Sequence, residues 1–256
     1  MLASLTAGAL EDAATRRALV SYADVEAAAL SRPSAIDALH VLRPEGRIKV
    51  IAEVKRASPS RGDLSEIADP AALARVYAEN GASAISVLTE ERKFKGSLAD
   101  LRAVREAVTV PVLRKDFIAE EYQILEARAA GADIVLLIVA ALDQTTLSRL
   151  NTFALQLGLT VLVETHSRDE VHRALDIDAK LLGVNARNLS TFELDRDLFG
   201  SLVSEIPPGV ITVAESAVRS AEDVAHYRSA GADVVLVGEA LVTSDPAQTL
   251  QSFLAV

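Results

Sequence analysis

The feature that most constrains the fold is a regular alternation of short apolar runs with amphipathic helical stretches. From residue 48 onward, each run has the length of a buried strand and is followed by a helical pattern or a short connection. Eight such alternations predict an α/β fold of the (β/α)8 TIM-barrel type. The main rival, an open doubly wound sheet, lacks its usual G-x-G-x-x-G fingerprint after the first strand. The runs cover residues 48–54, 84–88, 110–114, 134–139, 159–163, 181–184, 210–214 and 234–237.

An internal repeat supports this count of strands. Gly81-Ala82-Ser83, Gly131-Ala132-Asp133 and Gly231-Ala232-Asp233 each stand between a helical stretch and an apolar run, spaced by about 50 residues or twice that. Between the second and third of these repeats the spacing leaves room for one more, and Asp178-Ala179-Lys180 lies near that position. Glycine just after a helix commonly ends it with a positive φ, so we interpret these glycines as structural.

The first part of the chain, residues 1–46, is rich in alanine and has apolar residues at helical spacing. A break at Ser31-Arg32-Pro33-Ser34 divides it, so we expect two or three helices ahead of the first strand. We interpret them as an N-terminal helical extension and not as a separate domain. The whole chain, residues 1–256, is then one barrel domain with a large core.

Composition limits the partners and the compartment. A formal net charge of −10 argues against binding nucleic acid, although a local basic pocket for a small anion is compatible with it. Cysteine is absent, which excludes disulfides, thiolate nucleophiles and thiolate metal ligands. No apolar run approaches the roughly 20 residues that cross a bilayer, and the start of the chain does not resemble a secretory signal. We therefore expect a cytoplasmic protein with no membrane partner.

Polar residues close several of the apolar runs. In barrels of this type, catalytic residues stand where the strands end, at the C-terminal face. Side chains alternate along a strand, so residues two apart share a face. By this alternation, the polar residues that close the runs point to the inside of the barrel. Charges crowded at one end of a barrel are expected to perturb pKa values and to suit general acid–base chemistry. The predicted inward set is Glu53, Lys55, Lys115, Glu164, Asn185 and Glu215.

Loops after the last two strands predict a phosphate site, because such barrels often bind phosphate there. These loops contain Ser216-Ala217 and Gly238-Glu239, whose backbone amides can face an oxyanion. The loop with Ser58, after the first strand, lies next to them once the barrel closes. The alternative interpretation is two ordinary turns.

Other chemistries have less support. No G-x-S-x-G elbow and no Walker loop occurs, so serine acyl transfer and nucleotide hydrolysis lack their usual signatures. A Schiff base on Lys55 or Lys115 stays open, since a desolvated lysine in a barrel is a plausible nucleophile. The histidines show no metal-ligand spacing, and we interpret them as surface or hydrogen-bonded core residues. They are His40, His166, His172 and His226.

Six segments together resemble the indole-3-glycerol phosphate synthase family over nearly the whole chain, including the helical extension. Related phosphate-binding barrels share the phosphate loops but not the E-x-K-x-x-S-P-S run at residues 53–60 or the R-K-D-F run at 114–117. The segments are residues 51–60 (IAEVKRASPS), 112–117 (VLRKDF), 122–128 (YQILEAR), 163–166 (VETH), 183–189 (GVNARNL) and 214–216 (AES).

The resemblance implies a carbon–carbon lyase of tryptophan biosynthesis. Its reaction cyclises 1-(2-carboxyphenylamino)-1-deoxyribulose 5-phosphate, with loss of carbon dioxide and water, to indole-3-glycerol phosphate. The resemblance implies no cofactor and no metal. The expected partner is therefore a phosphorylated small molecule, and the chain is expected to be a monomer or a weak homo-oligomer.

The roles of the family fall on matching residues of this sequence. Lys115 would be the general acid that protonates the ketone oxygen as the ring carbon attacks. Lys55 would hold the substrate's carboxylate and share in proton delivery. Glu164, helped by Asn185, would transfer a proton in the dehydration step.

Further residues would complete the site that the resemblance implies. Glu53 and Glu215 would position the lysines and stabilise the cationic intermediate, and Arg187 would lie on the carboxylate and ring side. Phe94 and Phe117 would supply an aromatic floor, with Leu136 and Ile138 beside it. The phosphate site would be lined by Ser58, Ser216, Ala217, Gly238 and Glu239.

Two residues depart from the family's pattern. Ala217 stands where glycine is common, and Glu239 stands where serine is common. If position 217 requires a positive φ, the methyl group costs roughly 1 kcal/mol, so we expect weaker phosphate affinity with catalysis retained. The rival functions are a ketose-phosphate isomerase or Schiff-base lyase on a related barrel, and a non-enzymatic barrel that acts only in a complex.

Overall fold

The barrel is closed. The computed structural model describes residues 1–188 and 193–256, so Leu189, at the end of the segment 183–189, lies outside the described residues. Eight parallel strands pair in sequence order, and the first also pairs with the last, which confirms the predicted (β/α)8 barrel. The strands are β1 (Lys49–Val54), β2 (Ala84–Leu88), β3 (Val112–Lys115), β4 (Ile134–Ile138), β5 (Thr160–Thr165), β6 (Leu181–Asn185), β7 (Ile211–Glu215) and β8 (Val234–Val237).

Helices cover the outside of the barrel. Serine or aspartate side chains accept backbone N–H groups at many helix starts, as Asp69 does from Ala72 at 2.9 Å. None of the helices in the described ranges is long and apolar enough to cross a membrane. The helices are α1 (Leu2–Leu19), α2 (Tyr22–Leu30), α3 (Ala38–Leu42), α4 (Pro70–Glu79), α5 (Leu98–Ala107), α6 (Glu121–Ala129), α7 (Gln144–Gln156), α8 (Arg168–Leu175), α9 (Leu198–Leu202), α10 (Ala221–Ser229), α11 (Glu239–Val242) and α12 (Pro246–Leu254), with 3-10 turns at Val139–Ala141 and Val203–Glu205.

The repeated glycines end helices as the sequence predicts. Gly81, Gly131 and Gly231 have φ values of 98°, 92° and 101°, each just after a helix and before a strand. At the vacant place in the series, Asp178 adopts the same left-handed conformation with φ of 59°. Aspartate tolerates this region better than most residues, so the turn keeps its shape without glycine.

The inside of the barrel is filled by alternate strand residues. Ile51, Leu113, Leu162 and Val213 belong to the apolar cluster within the barrel, whereas their chain neighbours pack outward against the helices. Two positions further along each of these four strands stands a charged residue of the predicted inward set. Strand alternation therefore stacks the charged layer on top of the apolar core.

The N-terminal extension runs along the barrel and contacts both ends. It forms three helices, within the expected two or three, and the gap between α2 and α3 at residues 31–37 includes the predicted break at 31–34. Leu5 and Ala9 of α1, and Ala38 and Leu42 of α3, join the apolar cluster within the barrel. In between, the guanidinium of Arg16 binds the carboxylate of Glu126 on α6, with Nη2 and Oε2 2.9 Å apart.

Four of the strands end later than the apolar runs suggest. β3, β5, β6 and β7 include Lys115, Glu164, Asn185 and Glu215, whose backbones still pair with the neighbouring strands. Strand pairing is made by the backbone, so polar side chains at the end of a strand do not interrupt it. A short hairpin between Ala57–Ser58 and Gly62–Asp63 follows β1, where the sequence predicts only a turn.

Candidate active site

One cavity at the C-terminal ends of the strands contains every residue predicted for the site; we call this end of the barrel the mouth. The charged residues come from the last position of a strand or from the residues next to it, and the loop residues surround them. The fourteen predicted residues that line the mouth are Glu53, Lys55, Ser58, Phe94, Lys115, Phe117, Glu164, Asn185, Arg187, Glu215, Ser216, Ala217, Gly238 and Glu239.

Lys115 is the central charge of the mouth. Its Nζ atom lies 3.0 Å from Oε2 of Glu164 and 3.2 Å from Oε2 of Glu215. Burial acts to lower the pKa of Lys115, but the charges of Glu164, Glu215 and Glu53 outweigh it and raise the pKa above its usual range. Lys115 is therefore an ammonium group at neutral pH.

The two carboxylates beside Lys115 differ in their protonation. Burial acts to raise the pKa of Glu164, but Lys115 and His166 outweigh it, so the pKa is held well below its usual range. Burial, with the nearby charge of Glu164, raises the pKa of Glu215 to about 8 although Lys115 opposes this. At neutral pH the group therefore consists of an ammonium, a carboxylate and a largely protonated carboxyl group, which gives the mouth one acid–base pair and one extra proton donor.

A glycine that the sequence analysis did not single out makes room for Glu215. Gly183 lies on β6, and a Cβ atom at this position would stand 2.1 Å from Oε1 of Glu215. A side chain fits at this position only if the carboxyl group of Glu215 moves aside. Gly183 belongs to the segment 183–189 on which the family resemblance rests, but its role follows only from the packing of β6 against β7.

Asn185 connects Glu164 to the loop after β7. Its Nδ2 donates to Oε1 of Glu164 at 3.1 Å, and its Oδ1 accepts from the hydroxyl of Ser216 at 2.8 Å. The same Oδ1 accepts from the backbone N–H of Arg187 at 3.0 Å. Asn185 thereby fixes one oxygen of the ionised carboxylate and the position of the loop after β7.

Lys55 and Glu53 form the second charged pair of the mouth. Nζ of Lys55 lies 2.6 Å from Oε1 of Glu53, and the hydroxyl of Ser86 donates to Oε2 at 3.3 Å. A Cβ atom on Gly238 would stand 2.5 Å from Oε1 of Glu53 and 3.0 Å from Nζ of Lys55. Because residue 238 is glycine, Glu53 and Lys55 can lie close to the loop after β8.

Arg114, the neighbour of Lys115 on β3, points away from the mouth as its parity predicts. It is fully buried and donates to Thr89 Oγ1 at 3.1 Å, to the Gln123 carbonyl at 2.6 Å and to Asp116 Oδ2 at 2.9 Å. Glu126 lies 3.4 Å from its Nη1. This network of ion pairs and hydrogen bonds holds β3 against α6 and gives Lys115 a rigid support.

One wall of the mouth is apolar. The rings of Phe94 and Phe117 stand with their centroids 6.1 Å apart, and Leu136, Ile138 and Leu5 line the same cavity. The loop that carries Phe94 is held by the carboxylate of Glu90, which accepts from the backbone N–H groups of residues 92–94. Leu5 comes from α1, a contribution that the sequence analysis did not anticipate.

The opposite wall is formed by the predicted phosphate loops. Ser216 and Ala217 have φ values of 66° and 57°, so position 217 does require the left-handed conformation. Glu239 begins α11, and its carboxylate lies 2.7 Å from Nη2 of Arg61. Exposed backbone amides of such a turn and helix start are suited to an anion.

Arginines add positive charge to this wall. Burial lowers the pKa of Arg187, and the charges of Arg219 and Arg61 lower it further while Glu239 opposes them. Arg187 thus lies near Glu239, Arg219 and Arg61, and its role on the carboxylate and ring side stays a prediction. Arg219 also lines the cavity. Within residues 1–188 and 193–256, no group of three or more His, Cys, Asp and Glu side chains could hold a metal ion.

Comparison with known proteins gives close relatives over the full length. A family model described as indole-3-glycerol phosphate synthase matches residues 2–253. The protein named indole-3-glycerol phosphate synthase from Leifsonia xyli subsp. xyli is 67% identical over 256 residues, which are 100% of this chain and 98% of that protein. The protein of the same name from Beutenbergia cavernae is 58% identical over 243 residues, which are 95% of this chain and 90% of that protein.

Solved structures at low sequence identity share the barrel. Thiamine phosphate pyrophosphorylase from Pyrococcus furiosus superposes with a TM-score of 0.61 at 14% identity, over 80% of this chain and 93% of that one. The 3-hexulose-6-phosphate synthase from Salmonella typhimurium gives a TM-score of 0.61 at 17% identity, over 81% of this chain and 97% of that one. At such identities the likeness shows the fold alone.

Proposed function

This chain belongs to the indole-3-glycerol phosphate synthase family, and on that premise we propose how its mouth carries out the ring closure. The observation that carries the proposal is the ammonium of Lys115, which is held between Glu164 and Glu215 at the centre of the cavity. The substrate is a phosphorylated small molecule with a carboxylate, and the mouth offers cationic groups to both of its anionic ends.

Lys115 acts as the general acid of the ring closure. When the aromatic carbon of the substrate attacks the ketone, negative charge develops on the ketone oxygen, and a fixed ammonium stabilises it and then donates its proton. Because its pKa is raised, Lys115 keeps its proton until the oxygen becomes strongly basic. The same raised pKa argues against a Schiff base on Lys115, which would require the free amine.

Lys55 holds the substrate's carboxylate until it leaves as carbon dioxide. Its pair with Glu53 at 2.6 Å keeps the ammonium in place without fully neutralising the region around it. The carboxylates of Glu53, beside Lys55, and Glu164, beside Lys115, then face the iminium that forms on ring closure. Their charge stabilises this cation before decarboxylation.

Glu164 transfers a proton in the dehydration step. Its pKa is held well below the usual range, so it is an ionised base at neutral pH. Asn185 fixes one of its oxygens and Lys115 the other, which leaves the carboxylate in a single orientation. Phe94 and Phe117 supply the surface on which the aromatic ring of the substrate rests.

Phosphate binds at the loops after β7 and β8. Backbone amides of Ser216, Ala217, Gly238 and Glu239 face it, and Ser58 completes the site from the loop after β1. We extend the proposal to a cytoplasmic enzyme without cofactor that is a monomer or a weak homo-oligomer. It binds no nucleic acid, in keeping with its net charge of −10.

The test follows product fluorescence after addition of the carboxyphenylamino-deoxyribulose phosphate. The chain has no tryptophan, so indole emission rises over a background of tyrosine alone. We expect the purified protein to give this rise and Lys115→Ala to lose at least about a hundredfold in kcat, the lower range of a lost general acid. Lys180→Ala, at an exposed lysine paired with Asp178 outside the mouth, is the matched control and keeps the parent rate.

Two results would contradict the proposal. A folded Lys115→Ala protein with the parent kcat would exclude Lys115 as the acid. No fluorescence rise from the folded parent, together with a borohydride-trapped lysine adduct, would favour a Schiff-base lyase on the same barrel.

A further inference from the structure

A partly buried histidine lies directly behind the mouth, and the proposed mechanism does not use it. His166 follows β5 and is not among the residues that line the cavity. Its side chain is only 11% exposed. The carboxylate that it approaches, Glu164, does line the cavity, so His166 reaches the substrate only through Glu164.

Both ring nitrogens of His166 face carboxylates. Nε2 lies 3.3 Å from Oε1 of Glu164, and Nδ1 lies 3.0 Å from Oε2 of Glu170. The backbone N–H of His166 also donates to Oε2 of Glu170 at 2.8 Å. Glu170 is itself held in the first turn of α8, where its backbone N–H donates to Ser167 Oγ at 3.3 Å.

The two carboxylates favour the protonated, positively charged form of the His166 ring. A neutral imidazole donates from one nitrogen only, whereas an imidazolium donates from both. Burial acts to lower the pKa of His166, but Glu164 and Glu170 raise it to about 10. Removing the charge of the ring would take away the positive charge that lies between the carboxylates of Glu164 and Glu170.

The contact between His166 and Glu164 has room to tighten. Nε2 is buried and makes no hydrogen bond of good geometry, although Oε1 of Glu164 stands at 3.3 Å. That oxygen already accepts from Asn185, and the other oxygen accepts from Lys115. Catalytic hydrogen bonds often shorten when the reacting complex forms.

We propose that His166, held by Glu170, is a positioning residue that donates from Nε2 to Glu164 and fixes this carboxylate for its proton transfer. The inference rests on the proposed role of Glu164 in the dehydration step. The groups that act on Glu164 come from four elements and the turn after β5: Lys115 from β3, Asn185 from β6, Glu215 from β7, Glu170 from α8 through the ring, and His166 itself. His166 and Lys115 supply the positive charge, and Asn185 supplies a neutral donor.

The experiment compares His166→Gln with two variants of the same helix and loop. Glu170→Gln removes the charge that holds the ring, and His172→Gln changes an exposed histidine on α8 as the matched control. For His166→Gln we expect a loss in kcat of roughly tenfold to a hundredfold, the range for losing an outer partner that orients a working side chain. KM should stay at the parent value because His166 does not line the cavity.

The pH profile separates positioning from a structural role. Since His166 lowers the pKa of Glu164, its removal raises that pKa, and the acid limb of kcat moves to higher pH in His166→Gln. In Glu170→Gln the pKa of His166 falls, so kcat is near the parent value at low pH and is lost earlier as the pH rises. His172→Gln should change neither limb.

An independent measurement keeps this inference separate from the proposed function. Nitrogen-15 NMR of the ring, assigned by the signal lost in His166→Gln, should show an imidazolium at about pH 8. A neutral ring at that pH overturns the inference whatever the activity. So does a His166→Gln protein whose kcat and acid limb match the parent, or one that loses kcat with no shift of that limb. Absence of activity from the parent, with a charged ring, would refute the proposed function alone.

Discussion

Replacing Gly183 by alanine should impair catalysis far more than its small size suggests. Gly183 pairs with Glu164 on β5 and with Val213 on β7, in the middle of the ring of strands. A Cβ atom there would lie 2.1 Å from Oε1 of Glu215 and 3.3 Å from Cδ1 of Leu162. Ordinary van der Waals contacts begin at 3.4 Å, so the carboxyl group of Glu215 must move by about 1.3 Å.

That displacement acts directly on Lys115, the proposed general acid. Oε2 of Glu215 lies 3.2 Å from Nζ of Lys115, and moving it lengthens the contact and turns the ammonium toward Glu164. A misplacement of about 1 Å in a catalytic group can cost roughly a hundredfold in rate. Overpacking should also lower the free energy of unfolding by about 1–3 kcal/mol.

The assay pairs steady-state kcat from product fluorescence with urea unfolding. Gly200→Ala is the control, since a Cβ atom at position 200 on α9 makes only an ordinary contact of 3.7 Å with Ala230. Glu215→Asp shortens the carboxyl side chain, so the double variant with Gly183→Ala should lose less in kcat than the two single losses combined. A folded Gly183→Ala protein with the parent kcat would refute the reasoning, because the methyl group would then have displaced nothing that matters.

Two further predictions concern the phosphate loops. Ala217→Gly should relieve roughly 1 kcal/mol of left-handed strain, so KM should fall by about fivefold with kcat retained. An unchanged KM with a higher melting temperature would show that the strain affects folding alone. Glu239→Gln removes a negative charge next to the proposed phosphate site and releases Arg61, so KM should fall by up to about fivefold, the upper range for one exposed ion pair. A higher KM would instead mean that the pair with Arg61 holds the loop after β1 in place.

Much of the fold could be predicted because the barrel repeats one pattern. Apolar strands, capped helices and left-handed helix ends recur along the chain, and each recurrence is a local property of the sequence. The hairpin at 57–63 could not be predicted, since its two strands have only two residues each and carry no periodic signal. The division into one domain with an extension over residues 1–46 stays a prediction.

The mouth residues could be predicted as a set because they occupy equivalent positions at the ends of strands. Parity alone directs Lys115 inward and Arg114 outward, as the structure has them. His166 and Gly183 could not be found this way. Their significance depends on distances between neighbouring strands, such as Nε2 to Glu164 or a missing Cβ beside Glu215, and a single sequence does not contain such distances. The catalytic and binding roles of the mouth residues stay predictions.

The closure of the barrel has a consequence during synthesis on the ribosome. β1 and β8 are neighbours in the ring, with Lys49 opposite Val234, but their sequences are about 185 residues apart. At a synthesis rate of about 5–20 residues per second, roughly 10–40 s pass between the synthesis of β1 and that of β8, its second neighbour in the barrel. During that time the nascent chain has two open sheet edges, at β1 and at the newest strand, which can pair with other chains. Chaperone binding should therefore matter most before β8 emerges.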